Sequence, residues 1–206
     1  MADIRLRRLQ GTLLQDALDD LASLRLTVFR EWPYLYDGDA IYERDYITKF
    51  AASQGAVIIG AFEGDQMVGA ATGAPLTDHF DDFAAPLVAA GYRAEDLFYF
   101  GESVLLQAFR GRGIGVGFFA EREKAALDAG FVRVVFCSVI RPSDHPMRPQ
   151  DHVPLDSFWH RRGYRPMQGV IGQFSWRDIG NPGETQKPMQ FWMKEISNKN
   201  HFKTTG

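Results

Sequence analysis

The chain has 206 residues, of which 45% are hydrophobic and 24% charged, a balance typical of a globular protein that buries a substantial core. Its formal net charge of −3 argues against a nucleic-acid-binding protein held by bulk charge, since such domains are usually strongly basic. The sequence has one cysteine, no signal-peptide pattern and no apolar run near the roughly 18 residues of a membrane span, so we expect a cytoplasmic protein that has no intrachain disulfide and binds no membrane.

The first half of the chain alternates between strand and helix patterns. The first helix is predicted from apolar residues at helical spacing, with Leu24 or Arg25 in the fourth position, and Pro33 would end it. Gly64-Asp65 lies between two β-rich runs and predicts a hairpin turn. The predicted elements are a strand (3–10), a helix (13–32), a second helix (39–53), the hairpin (56–75) and an acidic insertion with a short helix (77–96).

The second half continues the alternation and ends in two strands. The strand ending at Val139 is apolar on both faces, which predicts burial between helical layers. No linker divides the chain, so we expect one domain over 1–206, with a frayed tail at 197–206, and an α/β or mixed α+β fold. The predicted elements are a strand (97–106), a helix (113–130), a strand (131–139), a proline-rich loop (140–154), a short helix (155–163) and strands at 167–176 and 187–196.

A glycine-arginine turn, FRGRGIGVGFF at 109–119, joins a strand to a helix. The first N–H groups of a helix have no intrahelical partner and carry partial positive charge, so bare glycine backbone there forms an anion site, to which Arg110 and Arg112 add charge. The alternative is tight packing of the glycines beside solvated arginines. Neither the dinucleotide pattern G-x-G-x-x-G nor the P-loop fits, whereas R-x-x-G-x-G fits at Arg110, Gly113 and Gly115.

LLQAFRGRGIGVGFF at 105–119 resembles the cofactor-binding segment of the GNAT family of acyl-CoA-dependent N-acyltransferases, and FWHRRGY at 158–164 is similar to a later signature of that family. The resemblance implies a central, mostly antiparallel sheet flanked by helices, with a cofactor strand that splays from its neighbour at a bulge. It implies acetyl-CoA as co-substrate, held by strand backbone at the pantetheine and by the turn at the pyrophosphate, with no metal. The implied cofactor-binding residues are Val104, Leu105, Gln107, Arg110, Gly111, Arg112, Gly113, Ile114 and Gly115.

The resemblance also directs the search for catalytic groups. Glu102 is the only carboxylate of its strand and is the candidate general base; the alternative is a glutamate that pairs with an arginine, contacts the pantetheine or faces solvent. Many relatives carry a tyrosine where this chain has Trp159, which leaves the general acid open among His160, Tyr164 and water. Tyr164 is expected to pack in the core instead.

Other residues carry weaker functional patterns. The pairs Asp144-His145 and Asp151-His152 could bind zinc or line an acceptor site, although a structural loop is the default interpretation. Cys137 is expected to be an inert buried thiol. The aromatic stretch FREWPYLYDG (29–38) could form an acceptor wall or a packed helix end, and the acidic insertion could attract a cationic amine or be a solvated face; its acidic residues are Asp78, Asp81, Asp82, Glu95 and Asp96.

Together the sequence predicts an N-acyltransferase that moves an acetyl or short acyl group from acetyl-CoA to an amine by direct attack in a ternary complex. The alternatives are a CoA-binding module without catalysis and a nucleotide-binding use of the same turn. The acceptor, a small-molecule or peptide amine, is not identified by the sequence, and neither is the acyl chain length. The β-rich last strand, KPMQFWMKEI, could support a homodimer.

Overall fold

The computed structural model describes residues 3–78 and 81–197. Within these ranges, one sheet of seven strands forms the centre of the fold, and five α-helices flank it. The strands are β1 (Ile4–Arg8), β2 (Val57–Glu63), β3 (Gln66–Pro75), β4 (Leu97–Leu105), β5 (Arg133–Val139), β6 (Arg165–Arg177) and β7 (Glu184–Glu195). The helices are α1 (Gly11–Phe29), α2 (Ala40–Ala51), α3 (Asp81–Ala89), α4 (Ile114–Asp128) and α5 (Asp156–Arg161), with 3₁₀ turns at Ala94–Asp96 and Gln107–Phe109.

The strand order is β1-β2-β3-β4-β5-β7-β6, and every neighbouring pair is antiparallel except β4 and β5. The hairpin predicted around Gly64-Asp65 is confirmed as β2 and β3. The predicted fold, a mixed and mostly antiparallel sheet flanked by helices, is therefore confirmed.

Each face of the sheet has its own apolar core because α1 and α4 each bury one stripe. In α1, Leu14, Leu18 and Leu21 recur at helical spacing and pack with α2 and α3 on one face. In α4, Ile114 and Phe118 pack on the opposite face. The central strand β5, predicted to be buried on both sides, contributes Val135 to the first core and Val134 to the second.

The predicted boundaries differ from the structure mainly at the first helix and the insertion. Helix α1 runs from Gly11 to Phe29 rather than over 13–32, so the chain leaves the helix before Pro33. The acidic insertion holds α3, whose Leu87 is fully buried and whose Phe83 ring stacks on Phe174 at 4.2 Å. The insertion is thus part of the core on the α1 face.

Candidate active site

The two parallel strands in the middle of the sheet separate after a short paired segment. β4 and β5 pair only from Leu97–Arg133 to Tyr99–Val135, although β4 continues to Leu105 and β5 to Val139. Beyond that point the strands line a cavity of about 1070 Å³, together with the α1–α2 loop, the turn before α4, the β5–α5 loop and α5. The predicted splayed strand is confirmed by this divergence.

The strand β4 carries a bulge at the start of the cleft. Gly101 and Glu102 both stand opposite Thr72 of β3, because Phe100 pairs with Gly73 and Ser103 with Ala71. The Glu102 N–H donates to Thr72 Oγ1 at 3.1 Å. The extra residue turns the Glu102 side chain toward the α1 face.

A buried arginine of α4, Arg122, holds the carbonyls that the bulge leaves out of the ladder. Its Nη1 donates to Thr72 O at 3.1 Å and to Glu102 O at 3.2 Å, and its Nη2 donates to Ser103 Oγ at 2.8 Å. Burial lowers the pKa of Arg122 to about 10, so it remains charged at neutral pH. In the sequence, Arg122 lies within AEREK, a pattern typical of a solvated helix face, and sequence reasoning missed it.

The N-terminus of α4 is an open backbone site on the cavity. The N–H groups of Val116 and Gly117 donate to Gly113 O at 3.0 and 3.2 Å, so those of Ile114 and Gly115 precede the first intrahelical bond. Gly113 occupies the N-cap position and offers no side-chain cap. The turn therefore presents two N–H groups without an intrahelical partner, which the predicted anion site would require.

The glycines of this turn have different physical reasons. Gly111 and Gly113 have φ of +75° and +82°, which L side chains rarely adopt, and nothing would crowd a Cβ at either position. At Gly117 a Cβ would lie 2.4 Å from Leu6 Cδ1, so that glycine serves the packing of α4 on β1. Packing therefore explains Gly117, and backbone conformation explains Gly111 and Gly113.

The two arginines of the turn are engaged differently. Arg110 lines the cavity, where its Nη2 contacts Glu31 Oε2 at 2.6 Å and its Nε donates to Leu105 O at 3.0 Å. Arg112 lies away from the cavity lining and faces Glu63 at 3.7 Å. Of the two, Arg110 is the one placed to meet an anion inside the cleft.

The backbone of Leu105 faces the open edge of β4. The Leu106 N–H donates to Val68 O on the β3 side at 3.0 Å, and neighbouring residues of an extended strand direct their backbone groups to opposite edges. The Leu105 N–H therefore points toward the cleft. Val104 and Ile114 place their side chains in the two cores, and Gln107 is exposed at the start of a 3₁₀ turn outside the cavity lining.

Glu102 lines the cavity and is almost fully buried. Its Oε1 forms an ion pair with Arg25 of α1, 2.6 Å from Nη1. The Nε of the same arginine contacts Glu43 Oε2 of α2, and the Glu43 side chain is 1% exposed. The structure thus realises the arginine pairing that was the alternative for Glu102, and it also places the carboxylate in the cleft, as a base requires.

The Arg25 guanidinium is enclosed by rings as well as by carboxylates. Its centre lies 4.3 Å from the Tyr46 ring centroid and 5.0 Å from that of Phe29. Burial alone would lower the pKa of Arg25, but the charges of Glu102 and Glu43 outweigh burial and raise it. The sequence signal was an arginine at an apolar position of the α1 stripe, which indicates a buried charge with a partner.

The candidate general acids differ in whether they line the cavity. Tyr164 is fully buried and donates to Glu123 Oε1 at 2.8 Å, and burial raises its pKa, so its expected core position is confirmed. Trp159 lines the cavity and packs against Phe136 and Trp192. The tyrosine that does line the cavity is Tyr34 of the α1–α2 loop, whose pKa burial also raises. Sequence reasoning named Tyr34 only as part of an aromatic wall.

The α1–α2 loop and the β5–α5 loop meet over the cavity. The His145 and His152 rings pack on Trp32, with centroids 5.1 and 5.8 Å from that of the indole. Arg141 Nη1 and Nη2 donate to the carboxylate of Asp178 at 2.8 and 2.9 Å, and Nη2 also donates to Tyr34 O. Arg141 thereby joins the aromatic wall to the end of β6.

Of the remaining candidates, Cys137 lines the cavity, whereas Asp78, Glu95 and Asp96 lie outside its lining. Burial raises the pKa of the Cys137 thiol to about 12, as expected of an inert thiol, and Tyr99 Oη lies 3.2 Å from its Sγ. Asp78 accepts a hydrogen bond from Ser53, and Arg93 pairs with Glu95 and Asp96. The side chains of Asp81 and Asp82 lie outside the described part of the structure.

The described residues contain neither a cluster of metal-ligating side chains nor a membrane-spanning helix. Within 3–78 and 81–197, no three or more histidine, cysteine, aspartate or glutamate side chains stand together as a metal site. Among the helices of the same ranges, none combines the length and apolar character that a bilayer crossing demands.

Comparison of the sequence with family models finds no match, and comparison with curated proteins finds no significant match. Solved structures do match, beginning with an acetyltransferase of the GNAT family from Streptococcus pneumoniae at 13% identity and a TM-score of 0.57, covering 95% of this chain and 100% of that one. YncA from Salmonella typhimurium, solved with its cofactor acetyl-CoA, has 12% identity, a TM-score of 0.61 and 95% coverage of both chains. An aminoglycoside 6′-N-acetyltransferase from Enterococcus faecium has 15% identity and a TM-score of 0.58, covering 94% of this chain and 97% of that one. The chain therefore has the GNAT fold.

Proposed function

We propose that this protein is an acyl-CoA-dependent N-acyltransferase that moves an acetyl or other short acyl group from the CoA thioester to an amine. The observation that carries the proposal is that one cavity between diverging strands contains an uncapped helix N-terminus, an open strand edge and a buried carboxylate. The fold shared with YncA, which was solved with acetyl-CoA, supports the choice of cofactor.

The residues present fit a CoA thioester at this cavity. The N–H groups of Ile114 and Gly115 and the guanidinium of Arg110 would hold the pyrophosphate, and Gly111 and Gly113 let the turn adopt its shape. Arg112 would add charge from outside the lining. Leu105 and Gln107 would bind the pantetheine through backbone groups, and the Leu105 N–H would polarise the thioester carbonyl. Val104 directs its backbone groups to β3 and would support this part of the strand from the core.

The reaction we propose is direct attack in a ternary complex. Acetyl-CoA supplies the activated acyl group and a thiolate leaving group. Glu102 would accept the proton that the amine loses as its nitrogen bonds to the acyl carbon and the carbon–sulfur bond breaks, either directly or through water. Tyr34 or water would protonate the thiolate, since Trp159 has no proton of suitable acidity.

The acceptor is proposed only as an amine that enters between the α1–α2 and β5–α5 loops. The aromatic side chains of Phe29, Trp32 and Tyr34 line this end of the cavity. The similar structures include an enzyme named for aminoglycosides, but identity of 15% transfers no substrate to this chain.

Calorimetry with acetyl-CoA, paired with free-thiol release across a panel of amines, tests the proposal. Wild type, Arg110→Glu and the double variant Arg110→Glu/Gly113→Trp are compared, with Arg133→Glu as a surface charge-reversal control. Micromolar binding that the turn variants lose and the control keeps would support the cofactor site, and thiol release would give the acceptor class. Binding without turnover on any amine would favour a CoA-binding module, and absence of binding would refute the proposal.

A further inference from the structure

One buried arginine is shared between two buried carboxylates directly behind the cavity wall. Arg25 Nη1 meets Glu102 Oε1 at 2.6 Å, and its Nε meets Glu43 Oε2. The three side chains are at most 10% exposed, so salt screens their interactions little. Only Glu102 among them lines the cavity.

The charges of Arg25, Glu43 and Glu102 do not cancel. One cation between two carboxylates leaves a net charge of −1 in a site removed from water, and burial of charge is unfavourable unless the charges are fully compensated. Buried ion pairs are often no more stabilising than apolar side chains of the same volume. Stability alone therefore gives a weak reason for this cluster.

The cluster does suit control of a proton acceptor. A nearby cation favours the charged form of a carboxylate, and a nearby carboxylate disfavours it. Arg25 holds Glu102 through one guanidinium nitrogen and Glu43 through another, so a change at Glu43 alters the charge beside Glu102 without altering a residue of the cavity lining.

We propose that Arg25 and Glu43 are positioning residues that orient the Glu102 carboxylate and set its readiness to accept a proton; this inference rests on the proposed function of Glu102 as general base. The main chain of Glu102 is held independently by Thr72 and Arg122. The carboxylate is therefore fixed from the α1 face and the backbone from the α4 face.

Three of the titratable groups around Glu102 keep one charge state across the tested range. Burial raises the pKa values of Tyr34 and Tyr46, which therefore stay neutral, and Arg122 stays cationic below its pKa of about 10. His152 and His160 also line the cavity, so only a difference in pH dependence between a variant and wild type, which share these histidines and the acceptor amine, reports on the cluster.

The test is the pH dependence of kcat/KM for the acceptor in wild type, Arg25→Gln, Arg25→Lys and Glu43→Gln. Arg25→Gln removes the cation, so the acid limb of the kcat/KM profile should move to higher pH by about 1 to 3 units, the range for an opposite charge at this separation. Glu43→Gln should move the acid limb to lower pH, because the Arg25 charge then interacts with the Glu102 carboxylate alone. Arg25→Lys keeps the positive charge, so its acid limb should lie close to that of wild type. Affinity for CoA should stay at the wild-type value.

If the cluster were only structural, Arg25→Gln and Glu43→Gln would both lower the free energy of unfolding. The acid limb of the pH profile of kcat/KM would then stay at its wild-type position. Arg133→Gln, which breaks an exposed pair with Glu195, is the matched control. If Arg25→Gln does not fold, Glu43→Gln and Arg25→Lys still decide the direction of the shift. Unmoved limbs in active variants overturn the inference, whereas full activity of Glu102→Gln overturns the proposed base itself.

Discussion

The contact between Glu31 and Arg110 leads to a prediction about cofactor affinity. Arg110 is the cavity-lining cation of the turn, and in the structure its Nη2 is held by Glu31 Oε2 at 2.6 Å. A cofactor pyrophosphate would have to compete with that carboxylate. We therefore expect Glu31→Gln to bind CoA more tightly than wild type.

The size of the effect follows from the exposure of the pair. The side chains of Arg110 and Glu31 are 44% and 35% exposed, so their interaction is worth about 0.2–1 kcal/mol. Release of that competition corresponds to a gain of about 1.4- to 5-fold in affinity. The gain should shrink as salt is added, because exposed charges are screened.

Calorimetry with CoA on wild type, Glu31→Gln, Arg110→Gln and the double variant measures the effect. Arg110→Gln should weaken binding, and in that background Glu31→Gln should give little further change. Glu63→Gln is the matched control, since Glu63 faces Arg112 at 3.7 Å outside the cavity lining. Equal or weaker CoA binding by Glu31→Gln, with Arg110→Gln still impaired, would refute the reasoning.

Three further predictions concern stability and reactivity. Gly113→Ala should lower the free energy of unfolding by about 1–2 kcal/mol, because the φ of +82° at this position is strained for a residue with a Cβ. Gly115→Ala is the control and should cause no such loss, since its Cβ would meet only Phe158 at 3.5 Å. Urea unfolding measures both variants, and equal losses would contradict the strain argument. Cys137→Ala should keep its turnover, because burial raises the thiol pKa to about 12; abolished thiol release would instead indicate an acyl-enzyme. Asp178→Asn should lower the free energy of unfolding by about 1.5–3 kcal/mol at pH 7, because it removes the charge that accepts the Arg141 hydrogen bonds. Denaturation between pH 3 and 7 measures this difference.

The pH dependence expected of Asp178 has a definite sign. Burial raises the pKa of Asp178, but the hydrogen bonds and charge of Arg141, with Lys187, outweigh burial and hold it below its usual range. Its stabilising contribution is therefore complete above the ordinary aspartate value of about 3.9 and is lost as the pH falls through the lowered pKa. A difference between wild type and Asp178→Asn that grows below pH 4 would contradict this assignment.

The sequence by itself determined the order of elements and the position of the glycine-arginine turn. Apolar periodicity and turn residues are local signals, and the strand, glycine turn and helix around Arg110 lie within a few residues of one another. Glu102 could be selected because it is the only carboxylate of an otherwise apolar strand. Helix ends were less accurate: α1 ends at Phe29, and Glu31 to Tyr34, partly predicted as helix, line the cavity from a loop.

Only the tertiary structure decided which charges surround the cleft. Arg25, Glu43 and Glu102 come from α1, α2 and β4. Hydrophobic periodicity describes neighbours within one element, so it does not predict which charged residues of different elements meet. The same holds for Arg122 at the bulge, which in sequence is one charged residue among several on a helix. Local periodicity determines which face of an element is apolar, but the partner of a buried charge is set by the packing of elements distant in sequence, and that packing exists only in the folded chain.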